Sequence, residues 1–306
     1  ISTLLVAATY VPGVGASVND NRNWISVGGP FLVQPSEFAK LALVLWSADV
    51  YARKAPLLSR WSHLLVPLAP VSLIVTGLVV GQGDLGTALV LFAIVLGMLW
   101  IVGAPLRLFG ASLLIAGAAA FALAATNHER VARITTFLSP LDYYQGSGWQ
   151  PSHGFFALAT GGLWGSGIGA SNQKWTLPEP HTDFILAIIG EEFGLFGTLV
   201  VLGLFITLAY AGVRIAVRTA DPFVRFAAGG IVVWLLSQKI INVGMVLGFL
   251  PVIGIPLPLI SYGGSALLPT LTSLGLLLGF ARAEPGAAEA LAARRGLPRQ
   301  STAPRR

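Results

Sequence analysis

The chain has no cysteine, which excludes a disulfide framework and thiolate metal sites. Charge is scarce as well. Asp, Glu, Lys and Arg make up 10% of its 306 residues, against about 25% in a soluble domain. Phosphate-cradling P-loops, zinc-ligand spacings, dinucleotide glycine patterns and a serine-nucleophile elbow are all missing. No basic face with interleaved aromatics marks a nucleic-acid site, so no nucleic-acid partner is expected. What remains is apolar: hydrophobic residues account for 55% of the chain, and the mean hydropathy is +0.76. These values point to an all-α, polytopic membrane helix bundle, one unit rather than the two domains that length alone would allow. The start at Ile1, in apolar sequence with no Met and no charged leading segment, reads as a fragment lacking its N-terminal end rather than as a signal peptide.

A spanning helix needs about 20 mostly apolar residues. The sequence predicts spans near 36–52, 63–82, 85–103, 106–125, 184–212, 226–249 and 265–282, with residues 1–15 as the end of another. Pro56, Pro67, Gly81, Gly83, Pro105, Pro251, Pro256 and Pro258 mark the hinges. Arg53, Lys54, Arg60, Arg107, Arg214, Arg218, Arg225 and the arginines after 282 then fall on one side, which positive-inside bias makes cytoplasmic. Segments 16–35, 82–84, 126–183 and 250–264 lie opposite, and Arg22, Arg130, Arg133 and Lys174 run against the bias there. The organisation predicted is a transmembrane domain over 1–282 with a large extracytoplasmic loop at 126–183, then a basic cytoplasmic tail at 283–306 expected to be disordered. The loop is rich in aromatics. Its run Phe155–Trp164 reads either as a segment folded back on the membrane surface or as an interfacial aromatic belt.

Ionisable groups at membrane depth usually have a task. Asp183 closes the polar stretch Leu177-Pro178-Glu179-Pro180-His181-Thr182-Asp183-Phe184 at the mouth of a span. Thr182 or Asp183 stands where a helix N-cap belongs; the alternative is that Asp183 is a general base or a cation ligand. His181 is a second proton carrier or a plain loop residue. Glu191 and Glu192 follow about 12–14 Å along the helix, at about 1.5 Å per residue. Lys239 falls at a matching depth, so a buried Glu–Lys pair joining two helices is predicted, with an ion relay as the alternative. Ser36 reads as an N-cap and Glu37–Lys40 as an i,i+3 pair, unless Lys40 faces a cavity and a lipid phosphate. Asp84 reads as a cap, with Gly86 allowing close helix contact. The apolar stretch Pro251–Ser265 is too interrupted by proline and glycine to be helical, so at this depth it must be buried in protein or line a cavity.

Together these stretches resemble the SEDS family of polytopic cell-wall proteins, FtsW, RodA and SpoVE. The resemblance is carried by Arg22-Asn23-Trp24-Ile25, Gln34-Pro35-Ser36-Glu37-Phe38-Ala39-Lys40, Asp84-Leu85-Gly86-Thr87-Ala88, Leu177-Pro178-Glu179, His181-Thr182-Asp183-Phe184, Gly190-Glu191-Glu192 and the Gly254–Ser265 loop, in family order from about residue 18 to 285. Gly190 before the two glutamates is more like the division branch than the elongation branch. Pro180, Phe193 and Ser152-His153-Gly154 depart from the usual pattern.

The resemblance implies a bundle of which this chain carries the end of the third span and the fourth to tenth. It implies a peptidoglycan glycosyltransferase that polymerises lipid II on the outer face of the bacterial plasma membrane during cell division and releases undecaprenyl pyrophosphate. Asp183 would activate the acceptor hydroxyl or bind a divalent cation, Mg or Mn. Substrate contacts are expected from Lys40, Glu37, Trp24, Arg22, Lys174, Asp84, His181 and Ser261. Implied partners are a class B penicillin-binding transpeptidase and other divisome membrane proteins, at the septum. The alternatives are a lipid II flippase, with Glu191, Glu192 and Lys239 lining its path, and a non-catalytic divisome scaffold.

Overall fold

The computed structural model describes residues 1–18, 21–28, 31–58, 60–125, 135–282, 284 and 286–287. Most of the 283–306 tail, together with Arg130 and Arg133, lies outside the described residues. The helices are α1 (Ser2–Ala8), α2 (Pro35–Arg53), α3 (Trp61–Gly81), α4 (Leu85–Ile101), α5 (Leu106–Ala125), α6 (Trp149–Gly161), α7 (Ile185–Arg218), α8 (Pro222–Val246) and α9 (Gly264–Ala281). Among the described residues, four helices are long and apolar enough to cross a membrane: Ser62–Gly81, Ile185–Arg218, Pro222–Val246 and Gly264–Ala281. Leu85–Ile101 and Leu106–Ala119 are apolar but shorter. The span predicted at 36–52 is a helix, α2, but Glu37, Lys40, Asp49 and Arg53 lower its hydropathy. Residues 16–35, expected as a plain loop, instead hold a three-stranded antiparallel sheet of β1 (Gly15–Val18), β2 (Asn21–Gly28) and β3 (Phe31–Val33).

Helix α8 is the central post. Its apolar window is 72% buried, against 11% for α7. Asp221 caps it, accepting from the Phe223 amide at 2.8 Å, and Pro222 fits the first turn, where no N–H is needed. Val44, Ala48, Leu91, Ile94, Met98, Ala227, Ile231 and Trp234, contributed by α2, α4 and α8, form the main core. Small residues let the axes close up: a Cβ added at Gly230 would meet Met98 and Val44 side chains at 2.7 Å. A second cluster, with Phe184, Leu186, Ala157, Met245 and Leu257, sits at the Asp183 end.

Helix α7 runs for 34 residues and breaks at Gly194 (φ 65°, ψ −163°). At about 1.5 Å per residue it is far longer than one membrane crossing. The break strands backbone groups, and the chain between α6 and α7 pairs them. Ser166 and Gly167 N–H donate to the Glu191 and Glu192 carbonyls at 2.8 and 3.0 Å, while the Leu195 and Phe196 N–H donate to the Gly162 and Leu163 carbonyls at 2.9 and 3.3 Å. The backbones approach so closely that only glycine fits. A Cβ at Gly161 would lie 1.9 Å from the Gly190 carbonyl oxygen, and one at Gly165 (φ 84°) would lie 2.2 Å from that of Glu192. The run Phe155–Trp164 therefore packs along the outer piece of α7.

Gly165→Ala combines a left-handed backbone with a backbone clash, so it should cost on the order of 3 kcal/mol. Gly117→Ala in α5, where an added Cβ meets nothing within 4 Å, should be neutral or stabilising by up to about 1 kcal/mol. Thermal unfolding of the two variants in the same detergent checks this difference.

Candidate active site

One end of the bundle gathers the starts of α2, α4, α7 and α9, the end of α8, the small sheet and the 251–263 segment; the charge pattern assigns this end to the outside. Asp183 stands in its midst, half-buried. It does not cap α7. The N-cap position is Phe184, which makes no side-chain cap bond and whose buried ring packs on Gly154 of α6. The Asp183 carboxylate is thus left over from helix formation, and among the described residues it has no hydrogen-bond or ion-pair partner. Gly254, at φ 67°, comes so close that an added Cβ would lie 3.3 Å from Oδ2. Burial pushes the Asp183 carboxyl up to about 7, and the negative charges of Glu179 and Asp84 push the same way.

The backbone that presents Asp183 is held at three successive carbonyls. The Tyr262 N–H donates to the His181 oxygen at 2.8 Å. The Ser261 hydroxyl donates to the Thr182 oxygen at 2.6 Å, and the Asn242 amide donates to the Asp183 oxygen at 2.8 Å. Upstream, Glu179 has φ 52°, an uncommon conformation for a residue with a side chain. The Thr182 hydroxyl donates to its carboxylate at 2.8 Å.

Asp84 caps α4, as predicted, by accepting the Thr87 N–H at 2.9 Å. Its carboxylate also accepts from Thr87 Oγ1, Asn23 Nδ2 and Gln34 Nε2 at 2.8, 3.1 and 2.9 Å. Those bonds fasten the sheet and the start of α2 to α4 and leave the oxygens committed. Asp84 thus has a structural part, and its charge reaches Asp183.

Lys40 and Glu37 are 1% and 2% exposed, with Nζ 2.7 Å from Glu37 Oε1. Lys40 also donates to Gln238 Oε1 at 2.9 Å and lies 5.7 Å from the centre of the Trp234 ring. The ammonium is spent inside the protein rather than offered to a lipid phosphate. The capping bond expected from Ser36 is absent; Gln34 is the N-cap residue, and Ser36 Oγ and Glu37 Oε2 are buried without partners. The other cations expected on the substrate point elsewhere. Arg22 donates to the Val11 carbonyl at 3.3 Å. Lys174 pairs with Glu192 at 3.3 Å, bonds the Gly169 carbonyl and lies over Trp175. Trp24, half-buried in β2, pairs across the sheet with Ala16. His181 is exposed, edge-on to Tyr262. The Ser261 hydroxyl, besides donating to Thr182, accepts the Leu257 N–H at 2.6 Å, so it braces the backbone.

The Glu–Lys pair predicted between α7 and α8 does not form. Glu191, fully buried, accepts from the Ser171 hydroxyl and from the Asn172 and Gln173 N–H at 3.0 and 3.3 Å. Lys239 donates to the Leu202 carbonyl at 3.4 Å and lies 5.0 Å from the centre of the Phe205 ring. The cause is the break at Gly194: both glutamates belong to the outer piece of α7, while Lys239 faces the piece below it. Asn242 and Gln238 were missed. Their signal was two amides one turn apart inside an apolar span, where unpaired polar groups are costly.

These features define an integral-membrane helix bundle that crosses the bilayer several times and collects its polar side chains at one end. Comparison with known proteins places it further. A family model described as "Cell cycle protein", covering FtsW, RodA and SpoVE, matches residues 1–285. The chain belongs to this FtsW/RodA/SpoVE family. It is 43% identical over 296 residues to the probable peptidoglycan glycosyltransferase FtsW of Mycobacterium tuberculosis, a match covering 96% of this chain and 56% of that protein. It is 38% identical over 283 residues to the stage V sporulation protein E of Bacillus subtilis, covering 92% and 77%. The rod shape determining protein RodA of Thermus thermophilus superposes with a TM-score of 0.65 at 31% identity, over 92% of this chain and 76% of that one. A chain from a peptidoglycan synthase complex gives 0.73 at 32%, over 90% and 77%. The chain thus spans little more than half the length of its mycobacterial relative.

Removing one member of the buried pair leaves a stranded charge. Lys40→Met should therefore lose about 3–5 kcal/mol of stability, and Lys40→Met combined with Glu37→Gln should recover most of it. Unfolding midpoints of the two variants read the coupling directly.

Proposed function

We propose that the chain is the membrane domain of a peptidoglycan glycosyltransferase that polymerises lipid II into glycan strands outside the plasma membrane during cell division. The observation that carries this reading is a half-buried, unpaired carboxylate held at the end of the bundle assigned to the outside, with its pKa raised to about 7. A carboxylate of that strength, close to working pH, suits a general base. The curated relatives named as peptidoglycan glycosyltransferases support the same activity.

In this reaction Asp183 takes the proton of the acceptor sugar's 4-hydroxyl. The oxygen attacks the anomeric carbon of the donor from the face opposite the pyrophosphate. The glycosidic bond forms, the bond from the anomeric carbon to the phosphate oxygen breaks, and undecaprenyl pyrophosphate departs with the electron pair. The leaving group is anionic, yet Lys40, Arg22 and Lys174 are all engaged elsewhere, and Asp183 has acids for neighbours. A divalent cation, Mg or Mn, fits this donor set: such ions bind through one or two carboxylates and complete their shell with substrate phosphates and water. In the alternative in which Asp183 binds a cation instead of taking the proton, Asp183 and Glu179 are the residues that would hold it, and it would supply countercharge to the pyrophosphate. No group of three or more His, Cys, Asp or Glu that could form an all-protein cage occurs among the described residues. A class B penicillin-binding transpeptidase and other divisome membrane proteins are the proposed partners, at the septum.

The assay uses the full-length protein, its transpeptidase partner and fluorescent lipid II in liposomes. Asp183→Ala should remove glycan ladders, a loss of roughly 10²–10⁴-fold or more; ladders that persist in a folded variant exclude Asp183 as the base, and leaflet transfer without ladders in the wild type would favour a flippase. The base works ionised, so kcat/KM should rise with pH and level off above about 7. Neutralising a neighbouring acid by Asp84→Asn removes a charge that raises the Asp183 pKa, so the rising limb should move to lower pH. An unmoved limb shows that Asp84 does not act on Asp183. Chelator followed by Mg or Mn titration in the same assay tests the cation.

A further inference from the structure

We propose that Asn242 is the positioning residue for Asp183: its side-chain amide ties the Asp183 backbone to the non-helical 251–263 segment and so fixes where the carboxylate stands. Asn242 is fully buried, one turn before the end of α8. Its Nδ2 donates to the Asp183 carbonyl at 2.8 Å and to the Ile255 carbonyl at 2.7 Å. Both partners are acceptors, so the nitrogen must be the atom that faces them. The other side-chain atom, Oδ1, is buried with no partner. The fold keeps an orphaned acceptor in order to place this donor, which marks the donor as the feature that matters.

Asn242 does not act alone. One turn earlier, Gln238 donates to the Pro256 carbonyl at 3.0 Å and accepts from Trp234 Nε1 at 3.0 Å and from Lys40 at 2.9 Å. Residues 234, 238 and 242 form a single stripe along α8. It runs from the buried Lys40–Glu37 pair, past two successive carbonyls of the 251–263 segment, to the residue before Phe184. The site rests on the most buried helix of the bundle, not on the flanking loops. The segment so held also carries Gly254, whose backbone borders the Asp183 carboxylate.

The inference rests on Asp183 being the base, and two readouts separate the claims. In the polymerisation assay, Asn242→Ala should lower kcat by 10–100-fold while KM for lipid II stays within about twofold, because the contacts that bind substrate remain. Asn242→Asp keeps the volume but turns the donor into an acceptor, and should be at least as damaging; a purely space-filling role would tolerate it. Ser237→Ala, whose hydroxyl bonds only within its own helix, should leave activity unchanged. The second readout needs no activity. Residues 1–306 contain no cysteine, so in this chain Asp183→Cys, read against the same protein without it, gives a thiol whose labelling by a membrane-impermeant maleimide reports how the position is presented. Adding Asn242→Ala should speed that labelling severalfold; where the alanine variant loses its fold, Asn242→Asp carries the same comparison. Unchanged labelling overturns the positioning role whatever the assay shows. Faster labelling, with polymerisation indifferent to Asp183→Ala, upholds the positioning role and overturns Asp183 as the base.

Discussion

A backbone N–H or C=O surrounded by hydrocarbon has no water to turn to, and each one left unpaired costs several kcal/mol. Wherever this chain departs from helix near the membrane, that constraint decides what surrounds the departure. At Gly194 four groups are released by the break in α7, and four from the 162–167 segment answer them. Along 251–263 the carbonyls of Ile255 and Pro256 are taken by two side-chain amides of α8. Glycines at 161, 165 and 194 are consequences of the same demand, because a pair of backbones can meet only where no Cβ stands between them.

Asp183 follows from this framework. The chain before α7 cannot bend freely, since three consecutive carbonyls are already engaged. Among the described residues the carboxylate then has no hydrogen-bond or ion-pair partner inside the protein. Burial and the neighbouring acids Asp84 and Glu179 hold its pKa near 7. A helix cap would have done the opposite, stabilising the charge and weakening the base. That the N-cap of α7 falls one residue later, on Phe184, therefore matters chemically as well as geometrically.

Much of the bundle was legible in the sequence, because apolar runs of membrane length have few alternatives. The starts of α4 and α9, the ends of α2 and α3, the cap at Asp84 and the non-helical character of Pro251–Ser265 could all be read that way. The differences have separate causes. Depth was counted along α7 as though it were continuous, and the Gly194 break moved Glu191 and Glu192 out of reach of Lys239. Lys40, Lys174 and Ser261 were matched to substrate by residue type, whereas the structure spends them on Glu37, Glu192 and the Thr182 carbonyl. Strands β1–β3 went unread because 15–33 offers only short, glycine-punctuated runs. Asn242 is an unremarkable letter in a hydrophobic stretch until the carbonyls it serves are placed beside it.

The acidic company of Asp183 has a further effect, on turnover. In the proposed reaction the spent pyrophosphate carrier is negative, and around the carboxylate it would meet the acids Glu179 and Asp84. Like charge would then favour its departure. Vacating the site for the next donor would then be helped by repulsion built into the scaffold itself.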